Sequence, residues 1–266
     1  NLYYQLLNYD LTAYGNAVSV STSNTSKQSF SMTYGADQSV YYAYSEDYDI
    51  QLKKIDASGN VEWTVAAVTS DTDDIVKSIY PMPGSGCMII YQSESFLAGT
   101  HIYAVVLNAN GEIQQGWPLL VSNLPSNQYY EDSILAEDGV FISFKDDNSS
   151  YSIYGQYILF SSNLGFEDSG LNISGDSGNQ QSSSVGYNTL QNEVLICYET
   201  SDGYEIDLSC NEVGLISQYV SEQIVISSNN YSQKNPYVYW TGHSYLISWE
   251  DSRLSSNSSP KEDLFF

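Results

Sequence analysis

Side chains able to do chemistry are unevenly supplied in this chain of 266 residues: 32 acids stand against 8 bases, two histidines and three cysteines. The chemistry such a supply favours is a carboxylate pair, one group acting as acid and the other as base or nucleophile, as in glycoside cleavage. With acids this plentiful, a pair at suitable spacing arises by chance. Nothing in the sequence raises Glu94, Asp146 or Glu199 above the rest, so no catalytic residue is assigned. Arg253 is the only arginine, which excludes a cluster of guanidinium forks gripping a substrate carboxylate, a geometry that lysine does not reproduce. Arg253 is expected to pair with Asp251 or with an acid of a neighbouring repeat.

Metal and nucleophile signatures are weak. His101 and His243 sit far apart, each read at a turn or strand edge on the surface, and no H-x-x-x-H or H-E-x-x-H spacing suggests zinc. The run Asp71-Thr72-Asp73-Asp74 offers oxygens to calcium but lacks the twelve-residue loop with a closing glutamate. It reads as a solvated acidic loop, and no resident cofactor is expected, calcium being the one ion left open. Three cysteines without a C-x-x-C do not make a disulfide framework. Cys87 and Cys197 lie in apolar runs and read as small buried thiols, whereas Cys210 carries no signal of its own. There is no G-x-S-x-G elbow, and the "PGSG" of residues 83–86 lacks the following helix that a phosphate loop requires. Five N-x-S/T sequons, at Asn24, Asn148, Asn172, Asn230 and Asn257, carry little information in a chain so rich in Ser and Asn.

The formal charge of −24 repels phosphates and anionic headgroups, so nucleic acid is excluded as a partner. No stretch approaches the ~20 apolar residues of a membrane span, so no direct membrane insertion is expected. Only 15% of residues are charged while tyrosine appears 25 times, a mix typical of secreted or surface-displayed β proteins. The chain starts at Asn1 without an initiator Met and stops at "DLFF", inside what reads as a strand. It reads as a processed product or a window on a longer protein.

The elements that would position any site follow from self-similarity. "VYYAYSE", "CMIIYQS", "VFISFKD", "VLICYET" and "YLISWED" recur with their last aromatics at Tyr44, Tyr91, Phe144, Tyr198 and Trp249, a period of about fifty residues. A second element follows each of the first four after a polar turn, beginning at Asp49, His101, Ser152 and Tyr204. "NLYY" at the start and "DLFF" at the end fit the same register. Asp56-Ala57-Ser58-Gly59 and Asn108-Ala109-Asn110-Gly111 are hairpin turn chemistry leading to a third strand, and a polar segment then leads to another short strand. Each unit thus reads as four short strands with no helical periodicity. Its apolar strand is a continuous run, which suits burial on both faces, and its aromatic wedges between neighbouring sheets.

The predicted fold is therefore all-β, a β-propeller of four-stranded antiparallel blades, with 1–266 as a single domain. About five blades are present. They form either a five-bladed closed ring, with strands 1–16 completing the last blade, or part of a larger propeller, and both remain open.

The stretch Trp249-Glu250-Asp251-Ser252-Arg253, with its partner strands, resembles the fifty-residue propeller repeats of secreted Bacteroidetes proteins. In those, Trp-x-Asp-x-Arg strands alternate with "D-I-Y-x-Q-x-L-D-x-x-G" strands. The other four units keep the aromatic and lose the arginine. The resemblance implies a propeller fold, an extracellular or cell-surface location and export by the type IX secretion system; it implies no reaction.

The functional expectation is a non-catalytic, non-enzymatic module for binding, adhesion or assembly at the cell surface, with a protein or a glycan as partner. Its candidate contact groups are Tyr129 and Tyr130, and Tyr231 with Tyr237, Tyr239 and Trp240. The alternative is a glycosidase-like carbohydrate-active enzyme with an axial carboxylate pair. Two acids from different blades beside a pocket with sugar-stacking rings would discriminate the two readings.

Overall fold

The computed structural model describes residues 2–21, 27–148, 150–175, 178–201, 203–228, 231–252 and 263–265. Every regular element among them is a β-strand. The chain divides into two compact units, Asn1–Leu97 with Tyr103–Pro118, and Ala98–Ile102 with Leu119–Phe266.

In the first unit β1 (Tyr3–Leu7) and β2 (Ala13–Ser19) form a two-stranded sheet. The strands β3 (Lys27–Tyr34), β4 (Val40–Glu46), β5 (Asp49–Ile55) and β6 (Val61–Val68) follow as a meander. The next meander holds β7 (Asp73–Pro81), β8 (Cys87–Ser95), β9 (Gly99–Leu107) and the two-residue β10 (Leu119–Leu120), of which the start of β9 and all of β10 are counted with the second unit.

The second unit has three sheets. One runs β11 (Gln128–Leu135), β12 (Gly139–Asp146), β13 (Ser152–Leu159) and β14 (Asn163–Leu164), with β15 (Leu171–Asn172) also on β13. The second runs β16 (Asn179–Asn188), β17 (Glu193–Ser201), β18 (Ile206–Gly214) and β19 (Ile224–Ser227). The last runs β20 (Gln233–Trp240), β21 (Tyr245–Asp251) and β22 (Asp263–Phe265). The outer edge of β21 is taken by β22, and β1 pairs with β2.

The predicted hairpins form for the predicted reason. Asp56 Oδ1 accepts the backbone N–H groups of Ser58 and Asn60, both at 2.8 Å, and Gly59 follows at φ +85°, a region that L side chains avoid. Asn108 Oδ1 does the same for Asn110 and Glu112. The Asn108 turn leads, however, only to an isolated bridge between Leu107 and Ile113. The segment that follows runs into Pro118, whose nitrogen has no hydrogen to give a ladder, and pairing resumes only at β10.

The central strands bury their apolar runs on both faces. From Gly139 to Phe144 every residue of β12 is buried, and from Val194 to Glu199 every residue of β17 is. Of the five wedge aromatics, Tyr44, Tyr91, Phe144 and Tyr198 are buried and Trp249 is half-buried. Each fully buried ring removes enough apolar surface to contribute about 2–3 kcal/mol. On one side of β17, Val194, Ile196 and Tyr198 pack with Phe141, Tyr157 and Phe166. On the other, Leu195, Cys197, Leu208 and Cys210 pack with Val238, and Trp249 leans on that cluster. A Cβ on Gly186 would stand 2.7 Å from a Val238 methyl, so glycine lets β16 approach β20 closely.

One expectation is corrected at this core. Cys197 and Cys210 are directly opposite in the β17–β18 ladder and form a disulfide, with Cα atoms 4.0 Å apart. Cys197 is therefore not a free buried thiol; Cys87 is one, and burial pushes its thiol pKa up. Arg253 and the sequons at Asn24, Asn230 and Asn257 lie outside the described residues.

Candidate functional site

The first strands of the five sheets of three or more strands, β3, β7, β11, β16 and β20, each slip register against the second strand. The slips fall between Lys27 and Phe30, Val76 and Ser78, Tyr130 and Asp132, Gln181 and Ser184, and Lys234 and Tyr237. Such bulges re-aim side chains and leave a ladder N–H free for another acceptor. The residues displaced include Lys77 in β7, Glu131 in β11, Ser182 in β16 and Asn235 in β20. Ser182 and Asn235 sit at φ 50° and 52°, a left-handed conformation uncommon for serine and more readily adopted by asparagine.

Two of these bulges hold carboxylates. The Ser183 N–H of β16 donates to Glu131 Oε2 at 3.3 Å, and the Asn235 N–H of β20 donates to Glu199 Oε1 at 2.8 Å. Gln181 Nε2 donates to the other Glu199 oxygen at 3.1 Å. The two acids come from adjacent sheets, Glu131 on β11 and Glu199 on β17. Lys145 Nζ lies 3.7 Å from Glu131 Oε1 and sits over the rings of Tyr151 and Tyr129 at 4.8 and 5.4 Å. Burial raises the Glu131 pKa, the Lys145 charge pulls against that rise, and the negative charge of Glu199 adds to it. A carboxyl whose pKa burial raises, near the charge of a second carboxylate, has one feature of a general acid with its partner.

Beyond the β11 bulge, Asp132 enters a cleft of about 410 Å³ lined by β11, β16 and β20. Its carboxylate accepts the N–H groups of Ser133 at 2.8 Å and Val185 at 2.9 Å, and the Ser184 hydroxyl at 3.3 Å. Burial raises its pKa against these donors. Tyr187, Tyr237, Tyr239 and Trp240 supply rings to the cleft. Tyr237 and Tyr239 are 62% and 56% exposed and project from the same face of β20 because side chains on a strand alternate.

The residues weighed in the sequence fall as follows. Tyr237, Tyr239 and Trp240 meet in this cleft, and Tyr231 is exposed outside it. Tyr129 lies under Lys145, and the Tyr130 hydroxyl shares a 2.6 Å bond with Ser133, so both are half-buried strand residues rather than an open patch. Glu199 joins the carboxylate pair. Asp146 is engaged by the Ser126 hydroxyl, and Glu94 accepts Gln92 Nε2 at 2.8 Å.

The acidic run Asp71–Asp74 is not wholly solvated. Asp74 is buried and accepts Ser70 Oγ at 2.7 Å and Thr72 Oγ1 at 3.3 Å, and among the described residues no group of three or more His, Cys, Asp or Glu is placed to hold a metal ion. His243 is exposed in its turn. His101 is instead half-buried within β9, with Nδ1 2.7 Å from Gln128 Oε1 and Nε2 2.9 Å from the Ala98 carbonyl. Sequence reasoning missed Glu131 and Asp132 altogether, because a bulge is a property of pairing and leaves no local signature.

No family model matches the sequence, and no curated protein does. Solved structures do match. An α-L-arabinanase of Penicillium chrysogenum, solved with arabinobiose, aligns over 89% of this chain and 80% of its own at 11% identity and a TM-score of 0.51. A neuraminidase-like protein of A/little yellow-shouldered bat aligns over 89% and 77% at 12% identity and a TM-score of 0.51. A protein of unknown function from Dyadobacter fermentans aligns over 95% and 79% at 7% identity and a TM-score of 0.53. At these identities the likeness is one of fold. It nevertheless corrects the expectation of a non-catalytic, non-enzymatic module, because the matched folds include an arabinanase.

Proposed function

We propose that this chain is a carbohydrate-active enzyme of the glycoside-hydrolase kind, built on a β-propeller of at least five blades. The observation that carries the reading is the pair Glu131 and Glu199, presented from adjacent sheets and each anchored by the bulge of the next first strand. In this reading Glu131 is the general acid. Its half-buried carboxyl gives a proton to the departing glycosidic oxygen, while Glu199 acts as base or nucleophile. Lys145 releases Glu131 when that carboxyl is protonated and pairs with it again once the proton has left.

The Cys197–Cys210 bond supports an oxidising, extracytoplasmic setting, in keeping with the secreted propeller repeats that the Trp249 strand resembles. The arabinanase among the fold neighbours makes arabinan the first polymer to offer. The test is release of reducing ends from a panel of neutral polysaccharides by the wild type, Glu131→Gln and Glu199→Gln. Activity lost in both variants supports the proposal. Activity unchanged in either removes that residue from the mechanism, and a wild type inert on every polymer overturns the reading.

A further inference from the structure

We infer that the cleft between β11, β16 and β20 is a binding subsite for neutral saccharides, and that it sets the substrate class of the activity proposed above, on which the inference rests. The chemistry lies in its lining. Two exposed tyrosine rings, Tyr237 and Tyr239, stand two residues apart on one strand face, about 7 Å along the strand. That spacing offers consecutive flat platforms to the apolar faces of two linked sugar rings, as aromatic clefts with a few placed polar groups do.

The polar complement is Asp132. Three donors already fix its carboxylate, Ser133 N, Val185 N and Ser184 Oγ. A carboxylate offers about four acceptor positions, so one remains for a sugar hydroxyl, held rigid by bonds to the backbone of two strands. The exposed Thr189 at the rim adds a hydroxyl able to donate or accept.

Specificity follows from what the lining lacks. Of the twelve lining residues Asp132 is the one charged group, and none is Lys, Arg or His. A uronate or sialate would bring its carboxylate towards Asp132 in a chain of net charge −24 with no cation to meet it, and unpaired charges in a partly desolvated site are disfavoured. A neutral oligosaccharide meets no such penalty.

The experiment is a titration followed by saturation-transfer NMR and calorimetry. The probes are a neutral arabino-oligosaccharide and an oligogalacturonate of equal length, each added to the wild type, Tyr239→Ala, Tyr239→Phe and Tyr237→Ala. Thermal melts confirm that these surface variants fold. The expected result is binding of the neutral probe, weakened roughly tenfold in each Ala variant, retained in Tyr239→Phe, and no binding of the anionic probe. Equal or tighter binding of oligogalacturonate overturns the inference, as does neutral binding unaffected by both Ala variants or absent from the wild type. Polysaccharide hydrolysis without the expected binding leaves the enzymatic reading standing and removes the subsite. Binding as expected without hydrolysis does the reverse.

Discussion

Val185 donates its backbone N–H to Asp132 Oδ2 at 2.9 Å, joining the first strands of two neighbouring sheets through one carboxylate. The link extends a step further, since Ser184 Oγ donates to the same oxygen and accepts the Val238 N–H at 3.2 Å. β11, β16 and β20 are thus laced at one level. Removing the carboxylate strands a buried N–H and a buried hydroxyl, each costing about 1–3 kcal/mol when left unpaired. Asp132→Ala is expected to lower unfolding free energy by about that much for the N–H alone, and Asp132→Asn by less, because its amide oxygen still accepts. Urea unfolding followed by fluorescence measures both. An Ala variant as stable as wild type would show the lacing to be ornamental.

The carboxylate pair carries a kinetic signature. If Glu131 is the acid, kcat/KM is sustained while its carboxyl holds a proton and declines as pH rises through its pKa. That alkaline limb is expected above the ordinary glutamate value of about 4.3, since burial and the Glu199 charge push Glu131 up against the pull of Lys145. Glu131→Gln should lose about 10²–10⁴ in rate and lose the alkaline limb with it. Lys145→Met, which removes the opposing charge, should shift the limb further to alkaline pH. A limb that stays in place in Lys145→Met would separate the titrating acid from Glu131.

Stability should pass through a maximum at mildly acidic pH. Burial raises Glu131, Asp132 and Asp74 in the folded protein. The folded state therefore binds these protons more tightly than the unfolded chain does. Their contribution is complete below the unfolded carboxylate range and is lost as pH climbs through the folded pKa values. Self-repulsion of a chain at −24 acts in the same direction as pH rises.

Asp37 works oppositely. Burial would raise it, but hydrogen bonds from Lys54 and Ser39 outweigh that and hold it at about 2. Its contribution is present above pH 4 and lost as pH falls towards 2. Urea midpoints from pH 3 to 9 should rise and then fall. A midpoint that climbs steadily to pH 9 contradicts the raised pKa of these three carboxyls.

The scaffold was legible because its signals are local and repeated. Tyr44, Tyr91, Phe144 and Tyr198 are spaced by the repeat and are buried where that spacing puts them. The exposed pair Tyr237 and Tyr239 was likewise visible as candidate contact groups. The carboxylate pair was not legible, and the reason is physical. Glu131 reaches Ser183 only because β11 carries an extra residue relative to β12, and a register slip depends on how two strands meet. Glu199 was in view as the residue after its wedge aromatic. Its equivalents are Ser45, Gln92, Lys145 and Glu250, and of these Ser45 also engages the next bulge, accepting the Val76 N–H at 2.8 Å. Position therefore marks this site better than acidity does.

The disulfide shows the converse, a signal that was present and went unused. β17 and β18 flank a short hairpin in which Ser201 pairs with Ile206, so Cys197 and Cys210 lie equally far from the turn and must face each other. A titration of denatured, unreduced protein should find one thiol per chain, that of Cys87, and three only after reduction. The bond closes a loop of 13 residues, and restricting the unfolded chain at that separation is worth about 3 kcal/mol. The double variant Cys197→Ala/Cys210→Ala should unfold at correspondingly lower urea, with a further loss because both positions lie within the cluster of Leu195, Leu208 and Val238. Cys87→Ala should leave the thiol count after unreduced denaturation at zero. Three free thiols before reduction would remove the crosslink, and with it the argument for an oxidising compartment.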